Sequence, residues 1–223
     1  WYPGDTVISS IGQGFWKATP LQLAQSTAAL ANGGLLRRPH LVSATRDDFD
    51  KPWTMLKQPP PRAISRNAAH LQVVRDGMIR TVHGPGGTAR VISGGLPYQI
   101  AGKTGTAQVI SRRGSASLDP RKLPMHLRHR ALFIGYAPAE NPTIALAVVV
   151  EGGGYGASTA APIARKIFDA WLLGKMPEAD PKALAAALAA NPFANVSSTS
   201  ASAPIGAPAG APQPPAATPE PMR

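Results

Sequence analysis

The segment at residues 98–110 constrains the fold most, because it has the apolar and β-branched composition of a strand but carries a lysine at its centre. An unpaired ammonium is costly to bury, so Lys103 is expected to face solvent, a carboxylate or an anionic ligand. Thr104 and Thr106 supply hydroxyls beside it, and Gly105 leaves the backbone bare for a ligand to approach. These residues predict an anion site that suits a substrate carboxylate together with an acyl oxygen.

Two known motifs share these letters. A phosphate-binding loop of the form G-x-x-x-x-G-K-[ST] would end at Gly102-Lys103-Thr104, but Pro97 stands where its first glycine should be. The residues after the lysine also suit a strand, whereas that loop should open a helix, so nucleotide binding is disfavoured. The other match is the Lys-Thr-Gly triplet of serine acyl-transfer enzymes of the penicillin-binding and β-lactamase type, and a triplet alone is weak evidence.

Two further strands are predicted after the lysine-bearing one. They lie at residues 130–137 and 143–150, and the connection at 138–142 is short enough to make an antiparallel hairpin. The second of them is almost continuously apolar, which indicates that both its faces are covered. The three segments therefore predict consecutive strands.

Three helices are also predicted. Thr19 should cap the first, and Ser65 should cap the second, which carries apolar residues at helical spacing up to residue 82. The third should run from about residue 159 to residue 173 and end at Gly174. The first helix is expected to bury Leu21, Ala24, Ala28 and Ala31, and the third Ile163, Ile167, Phe168, Trp171 and Leu172.

The two ends of the chain differ in character. Residues 1–10 are predicted to be extended, with a turn at Pro3-Gly4, and Gly12-Gln13-Gly14 is interpreted as a tight backbone passage or a plain loop. Residues 1–174 are patterned as one folded domain. Residues 175–223 are rich in alanine, proline and serine with few apolar anchors, so they are predicted to form a disordered tail.

Composition excludes several other functions. The net charge of +11 is concentrated in the loop at residues 111–130, but that loop has no aromatic residue to stack a base, so no nucleic acid partner is predicted. Cysteine is absent, and His70 and His83 have no ligand neighbours at metal-binding spacing, so neither a metal nor a cofactor is expected. The longest apolar run, residues 144–150, is far shorter than the roughly 20 residues of a membrane helix.

Several motifs occur in one order along the chain. They are Gly4-Asp5-Thr6, Ile11-Gly12-Gln13-Gly14, the segment at residues 18–24, Asn32-Gly33-Gly34, Arg38-Pro39-His40-Leu41 and the segment at residues 101–108. Together they resemble the second half of the transpeptidase domain of class B penicillin-binding proteins. The start Trp1-Tyr2-Pro3-Gly4-Asp5 and the spacing up to the lysine triplet favour the penicillin-binding protein 2 subgroup.

This resemblance implies an α/β (α+β) fold in which an antiparallel sheet is flanked by helices. It implies a D,D-transpeptidase at the periplasmic face of the bacterial inner membrane that crosslinks peptidoglycan stem peptides ending in D-Ala-D-Ala, is acylated by β-lactams, and works with other cell-wall elongation proteins in rod-shape maintenance. Lys103 and the Thr104 hydroxyl would bind the terminal carboxylate, Gly105 would line the site, and the Thr106 N–H would complete an oxyanion hole.

The chain departs from the family in one respect. No serine is followed by a lysine three residues later, so the nucleophile and its activating lysine are absent. Ser65-Arg66-Asn67 fits the family's Ser-x-Asn pattern, but its position favours a helix cap. The chain is therefore predicted to be an inactive segment of a larger enzyme, whose remaining part holds both motifs, a dimerisation region and the membrane anchor.

Two alternatives stay open. One is a non-catalytic module of the same fold that binds cell-wall peptide or a protein partner. The other is a β-lactamase or carboxypeptidase relative, although such a protein is not expected to show the Gly12-Gln13-Gly14 and Thr19-Pro20 region. An in-frame Ser-x-x-Lys encoded before Trp1 would favour the transpeptidase over the binding module.

Overall fold

The computed structural model describes residues 1–65, 67–109 and 123–177. These residues contain helices and short strands followed by a three-stranded antiparallel sheet and a last helix. In chain order the elements are α1 (Pro3–Ser10), α2 (Pro20–Ala31), β1 (Leu35–Leu36), β2 (Ala44–Thr45), β3 (Thr54–Met55), β4 (Arg62–Ala63), α3 (Ala68–His83), β5 (Ala101–Ala107), β6 (Arg130–Ala137), β7 (Ile144–Val150) and α4 (Ala161–Leu173). The predicted class, an antiparallel sheet with helices on both faces, is confirmed.

Residues 3–10 are helical, so the prediction of an extended segment over residues 1–10 was wrong there. Pro3 occupies the first turn of α1, where its fixed φ suits a helix and its missing N–H is not needed. The Asp5 carboxylate accepts the backbone N–H of Tyr2 at 2.9 Å and satisfies one donor at the helix start. The Pro3-Gly4 pair, a turn signal on its own, therefore marks a helix N-terminus here.

Helix α2 begins as predicted, but of the predicted inner face only Ala31 is buried. Thr19 Oγ1 accepts the N–H of Gln22 at 3.2 Å, and the Gln22 side chain accepts the N–H of Thr19 at 2.9 Å. The buried residues are Thr27, Ala29 and Ala31, whereas Leu21 is 63% exposed. Thr27 tolerates burial because its hydroxyl donates to Leu23 O at 2.7 Å.

Helix α3 begins at Ala68, and Asn67 caps it in place of the predicted Ser65. The Asn67 side chain accepts the N–H of Ala69 at 2.9 Å, while Ser65 Oγ accepts the N–H of Asn67 one step earlier. The predicted apolar spacing is confirmed at Met78 and Val82, which are buried.

The three strands pair in the order β5-β6-β7, and the predicted hairpin is formed by β6 and β7. One face of the sheet packs against α4, where Phe133 lies in a cluster with Ala164 and Phe168. Helices α2 and α3 cover the other face, where Tyr136 is buried beside Ala31 and Met78. The sheet is thus enclosed between helices, as the apolar sequence of β7 indicated.

Helix α4 ends at Gly174, which has a φ of 65°, as the sequence predicted. Its buried face is formed by Ala161, Ala164 and Phe168, whereas Ile163 and Ile167 are each 41% exposed and Trp171 is 65% exposed. The predicted inner face was therefore wrong except at Phe168 and at Leu172, which packs partly against the core. Small residues bring this helix close to the sheet, so the larger ones are turned outward.

The predictions of a tail and of a basic loop concern residues that the structure largely does not describe. The predicted tail lies outside the described residues beyond residue 177, as does most of the basic loop at 111–130. Within the described ranges, no helix combines the length and the hydropathy that crossing a bilayer requires.

Candidate functional site

Strand β5 carries Lys103 at one edge of the three-stranded sheet that the described residues form. Lys103 lies opposite Ile134 on β6, and Gly105 lies opposite Leu132, so these two positions of β5 face the α2 side. Thr104 and Thr106 alternate with them and face the α4 side. The lysine and the two hydroxyls therefore lie on opposite faces of one strand and can meet a common ligand only along its open edge.

The backbone of Thr104 and Thr106 points to that open edge. The Thr104 carbonyl accepts a hydrogen bond from Lys103 Nζ at 2.8 Å, and the Thr106 carbonyl accepts one from Gln13 Nε2 at 2.8 Å. In an antiparallel strand the N–H and C=O of one residue point the same way, so the Thr106 N–H faces the open edge as well. The edge thus offers a donor where the sequence predicted an oxyanion site.

Lys103 is exposed and lies between two grooves. One, of about 460 Å³, is lined by Arg80, Thr88 and the glycine-rich turn at residues 84–87. The other, of about 320 Å³, is lined by Gln13, by β5 and by side chains of β6. Among the described residues neither groove has an acidic lining side chain, so the ammonium meets no carboxylate from that part of the chain and is placed to attract an anion.

The Thr104 hydroxyl is held by a second threonine. Its Oγ1 lies 2.8 Å from Thr88 Oγ1, and either atom can be the donor. Thr88 reaches this point because Gly84 and Gly87 let the turn fold tightly against the end of α3, where a Cβ at Gly84 would lie only 2.6 Å from Arg80 O. If the Thr104 hydroxyl donates to a ligand, it can accept its own hydrogen bond from Thr88.

Gln13, like Thr88, is a residue at the site for which the sequence predicted no chemical role. Gly12 and Gly14 on either side of it have φ values of 74° and 83°, in the left-handed region that favours glycine. This backbone carries the Gln13 side chain to the Thr106 carbonyl. The available signal was the Gly12-Gln13-Gly14 pattern itself, two glycines around one amide, which the sequence indicated only as a tight passage.

Gly105 lines the smaller groove, and its other face is packed by the protein. A one-turn π-helix, Gly156–Ala160, lies against β5 and β6 immediately before α4. A Cβ at Gly156 would lie 2.6 Å from Gly105 O and 3.0 Å from Gly105 N, so only glycine fits there. This packing supports the strand directly behind its reactive edge.

Two contacts fix the approach to β5. His83, the last residue of α3, accepts the N–H of Ile100 on Nε2 at 3.0 Å. Burial lowers the pKa of His83, which favours the neutral ring that can accept this bond. Tyr98 donates to Asp169 Oδ1 at 2.5 Å, and burial followed by that contact raises the pKa of the Tyr98 hydroxyl, which keeps it protonated as a donor.

No metal site is evident in the part of the chain that the structure describes, since no three histidine, aspartate or glutamate side chains cluster at ligating distances. What the site offers is an exposed cation, an oriented hydroxyl and an outward N–H along one strand edge. This set can bind a carboxylate and stabilise a developing oxyanion, but it holds no activated nucleophile.

Comparison with known proteins identifies one protein family along most of the chain. Residues 1–169 match the penicillin binding protein transpeptidase domain. The peptidoglycan D,D-transpeptidase MrdA of Escherichia coli K12 is 35% identical over 191 residues, which is 83% of this chain and 30% of that protein. The protein of the same name from Acinetobacter baumannii is 42% identical over 180 residues, covering 78% of this chain and 25% of that protein.

Solved structures show the same likeness. Pseudomonas aeruginosa PBP2 in complex with WCK 5153 is 43% identical, with a TM-score of 0.59 over 79% of this chain and 35% of that one. The complex of PBP2 and MreC from Helicobacter pylori gives 28% identity and a TM-score of 0.60 over 78% of this chain and 28% of that one. This chain therefore spans about a third or less of its relatives, and it belongs to the penicillin-binding protein transpeptidase domain family.

Proposed function

We propose that this chain acts within a peptidoglycan D,D-transpeptidase of the penicillin-binding protein 2 subgroup, at the periplasmic face of a bacterial inner membrane. The observation that carries the proposal is the open edge of β5, where Lys103 and the outward N–H of Thr106 lie along the same strand. The named relatives support it, because they are peptidoglycan D,D-transpeptidases and match most of this chain. Residues 1–174 would form the second half of the transpeptidase domain.

In the proposed reaction this chain binds the acyl donor. The Lys103 ammonium and the Thr104 hydroxyl hold the terminal carboxylate of a stem peptide ending in D-Ala-D-Ala, or the carboxylate of a β-lactam. The scissile carbonyl then lies near the Thr106 N–H, which donates to the oxygen as negative charge develops during acylation. The serine nucleophile and its lysine base come from residues outside this chain.

The proposed function includes partners in cell-wall elongation. The solved complex of a relative, Helicobacter pylori PBP2, with MreC supports this part of the proposal. We propose that the protein containing this chain acts with elongation proteins of that kind in maintaining rod shape. Its membrane anchor, like the nucleophile, would lie outside this chain.

The test uses the full-length protein and a fluorescent penicillin. Lys103→Ala should slow acylation about tenfold to a hundredfold, because one charge-assisted hydrogen bond to the carboxylate is lost. The matched control is Lys166→Ala, which removes an exposed lysine from α4 and should leave the labelling rate unchanged. Unchanged labelling of Lys103→Ala would rule out its role as the carboxylate anchor, and a wild-type protein that is never labelled would rule out the transpeptidase itself.

A further inference from the structure

The Gly12-Gln13-Gly14 loop touches the strand edge through one side chain. Gln13 Nε2 donates to the carbonyl of Thr106 at 2.8 Å across 93 residues of sequence, and the contact is partly buried. Both flanking glycines adopt left-handed φ values, and a Cβ at Gly14 would lie 3.0 Å from the side chain of Ile8. A backbone conformation that ordinary residues rarely adopt is thus used to bring one amide to one carbonyl.

That carbonyl lies where the sheet itself gives least support. Thr106 is the second-last residue of β5, and only β6 flanks this strand in the described sheet. The ladder bonds to β6 hold the residues on either side of Thr106, whose own backbone groups point away from β6. Gln13 therefore provides a contact that holds the Thr106 carbonyl from the open side.

The neighbouring outward carbonyl is held in a different way. Thr104 O accepts from Lys103 Nζ at 2.8 Å, and this is the same ammonium that the proposed function assigns to the ligand carboxylate. Lys103 has three donors and a flexible stem, so ligand binding can redirect it. Gln13 has no such competing task among its described contacts, so its bond can persist while a ligand is bound.

We infer that Gln13 is a positioning residue for acyl transfer: by holding the Thr106 carbonyl it fixes the backbone of that residue, so that the Thr106 N–H, on the preceding peptide group, meets the developing oxyanion. The inference rests on the proposed function. It assigns Gln13 a role through the Thr106 carbonyl, to which one N–H of its amide donates, and no direct contact with the ligand. Losing such a contact should slow the chemical step and leave the first binding of the carboxylate almost unchanged, since Lys103 and Thr104 are untouched.

The experiment measures acylation of the full-length protein by a fluorescent penicillin over a range of concentrations. This separates the acylation rate constant from the dissociation constant of the noncovalent complex. Gln13→Glu keeps the shape of the side chain but replaces the amide donor by a carboxylate, and Gln13→Ala removes the side chain. Each should lower the acylation rate constant about tenfold, equivalent to about 1.4 kcal/mol. The dissociation constant should change less than about twofold.

The matched control is Gln25→Glu. Gln25 also donates its amide to a backbone carbonyl at 2.8 Å, that of Arg37, but it lies on α2 away from the strand edge. It should leave both constants unchanged. Thermal unfolding of all three variants is measured in parallel, because a positioning role predicts a rate loss without a matching loss of stability.

The inference is overturned if both Gln13 variants acylate at the wild-type rate, or if their rate loss appears only as weaker noncovalent binding. It is also overturned if the loss follows a fall in melting temperature, which would make the contact merely structural. These outcomes differ from a failure of the proposed function, which would show as an unlabelled wild type or a fully active Lys103→Ala.

Discussion

Substitution of Gly156 by alanine tests how closely the π-turn must pack behind β5. The three heavy atoms nearest to an added Cβ are all backbone, namely Leu132 O together with Gly105 O at 2.6 Å and Gly105 N at 3.0 Å. No flexible side chain can move aside, so the turn or the strand pair has to shift. Overpacking in a folded core costs about 1–3 kcal/mol, and rigid neighbours place Gly156→Ala near about 3 kcal/mol.

This cost predicts a measurable change in two assays. For a domain of this size each kcal/mol lowers the melting temperature by about 2–4 °C, so Gly156→Ala should melt roughly 6–12 °C below the wild type. Because the clash falls on Gly105, between the two threonines of the strand edge, fluorescent penicillin should also label the full-length variant more slowly at temperatures where it stays folded.

A second glycine provides the control of opposite sign. Gly77 lies inside α3, and an added Cβ there would meet no atom within 4 Å. Alanine lacks the conformational entropy that glycine loses in a helix, so Gly77→Ala should raise stability by about 0.5–1 kcal/mol. If Gly156→Ala melts within about 2 °C of the wild type while Gly77→Ala is stabilised, the close packing of the π-turn on the strands is refuted.

Two further predictions concern the contacts that hold the approach to β5. Burial lowers the pKa of His83 below its ordinary value of 6.5, so its contribution to stability should be complete above pH 6.5 and be lost as the pH falls below it. His83→Gln keeps an acceptor for the Ile100 N–H but removes the titrating group. The free energy of unfolding, measured with urea from pH 7.5 to 5, should therefore depend less on pH in this variant than in the wild type. An equal pH dependence would contradict this role of His83. Asp169→Asn weakens the hydrogen bonds from Tyr98 and from Arg165, whose Nε lies 2.7 Å from the carboxylate. The substitution should lower the free energy of unfolding by about 2 kcal/mol in thermal unfolding. A change below about 0.5 kcal/mol would contradict the stabilising role of Asp169.

Local patterns predicted the regular elements better than the faces they bury. The hairpin of β6 and β7, the start of α2 at Thr19 and the end of α4 at Gly174 follow from composition and from capping residues, which act over a few positions. The buried faces of α2 and α4 depend on which helix side approaches the sheet closely. In α4 the small residues form the buried face, because they let the helix approach the sheet closely. A hydrophobicity pattern does not predict how closely a helix approaches a sheet.

The candidate site shows the same contrast between residues that a local pattern predicts and residues that only the folded chain brings together. Lys103, Thr104, Gly105 and Thr106 were predicted as site residues from the sequence, because a charge inside a strand is costly unless it serves a ligand or a partner. Gln13 and Thr88 act on that strand from 93 and 16 residues away, and only the folded chain shows which atoms they reach. Their roles could not be derived from spacing, since each is an ordinary polar residue in a glycine-rich loop.

The edge of β5, which has no neighbouring strand among the described residues, has a consequence for self-association. Outward backbone N–H groups that can bind a peptide can also pair with the same strand of another molecule, and such edge pairing is a common route to aggregation. In a register that places the same residues of two such strands opposite each other, the two Lys103 ammonium groups would lie close together, and like charges repel. The side chain proposed to attract a short anionic peptide would thus also keep this edge from joining another copy of itself.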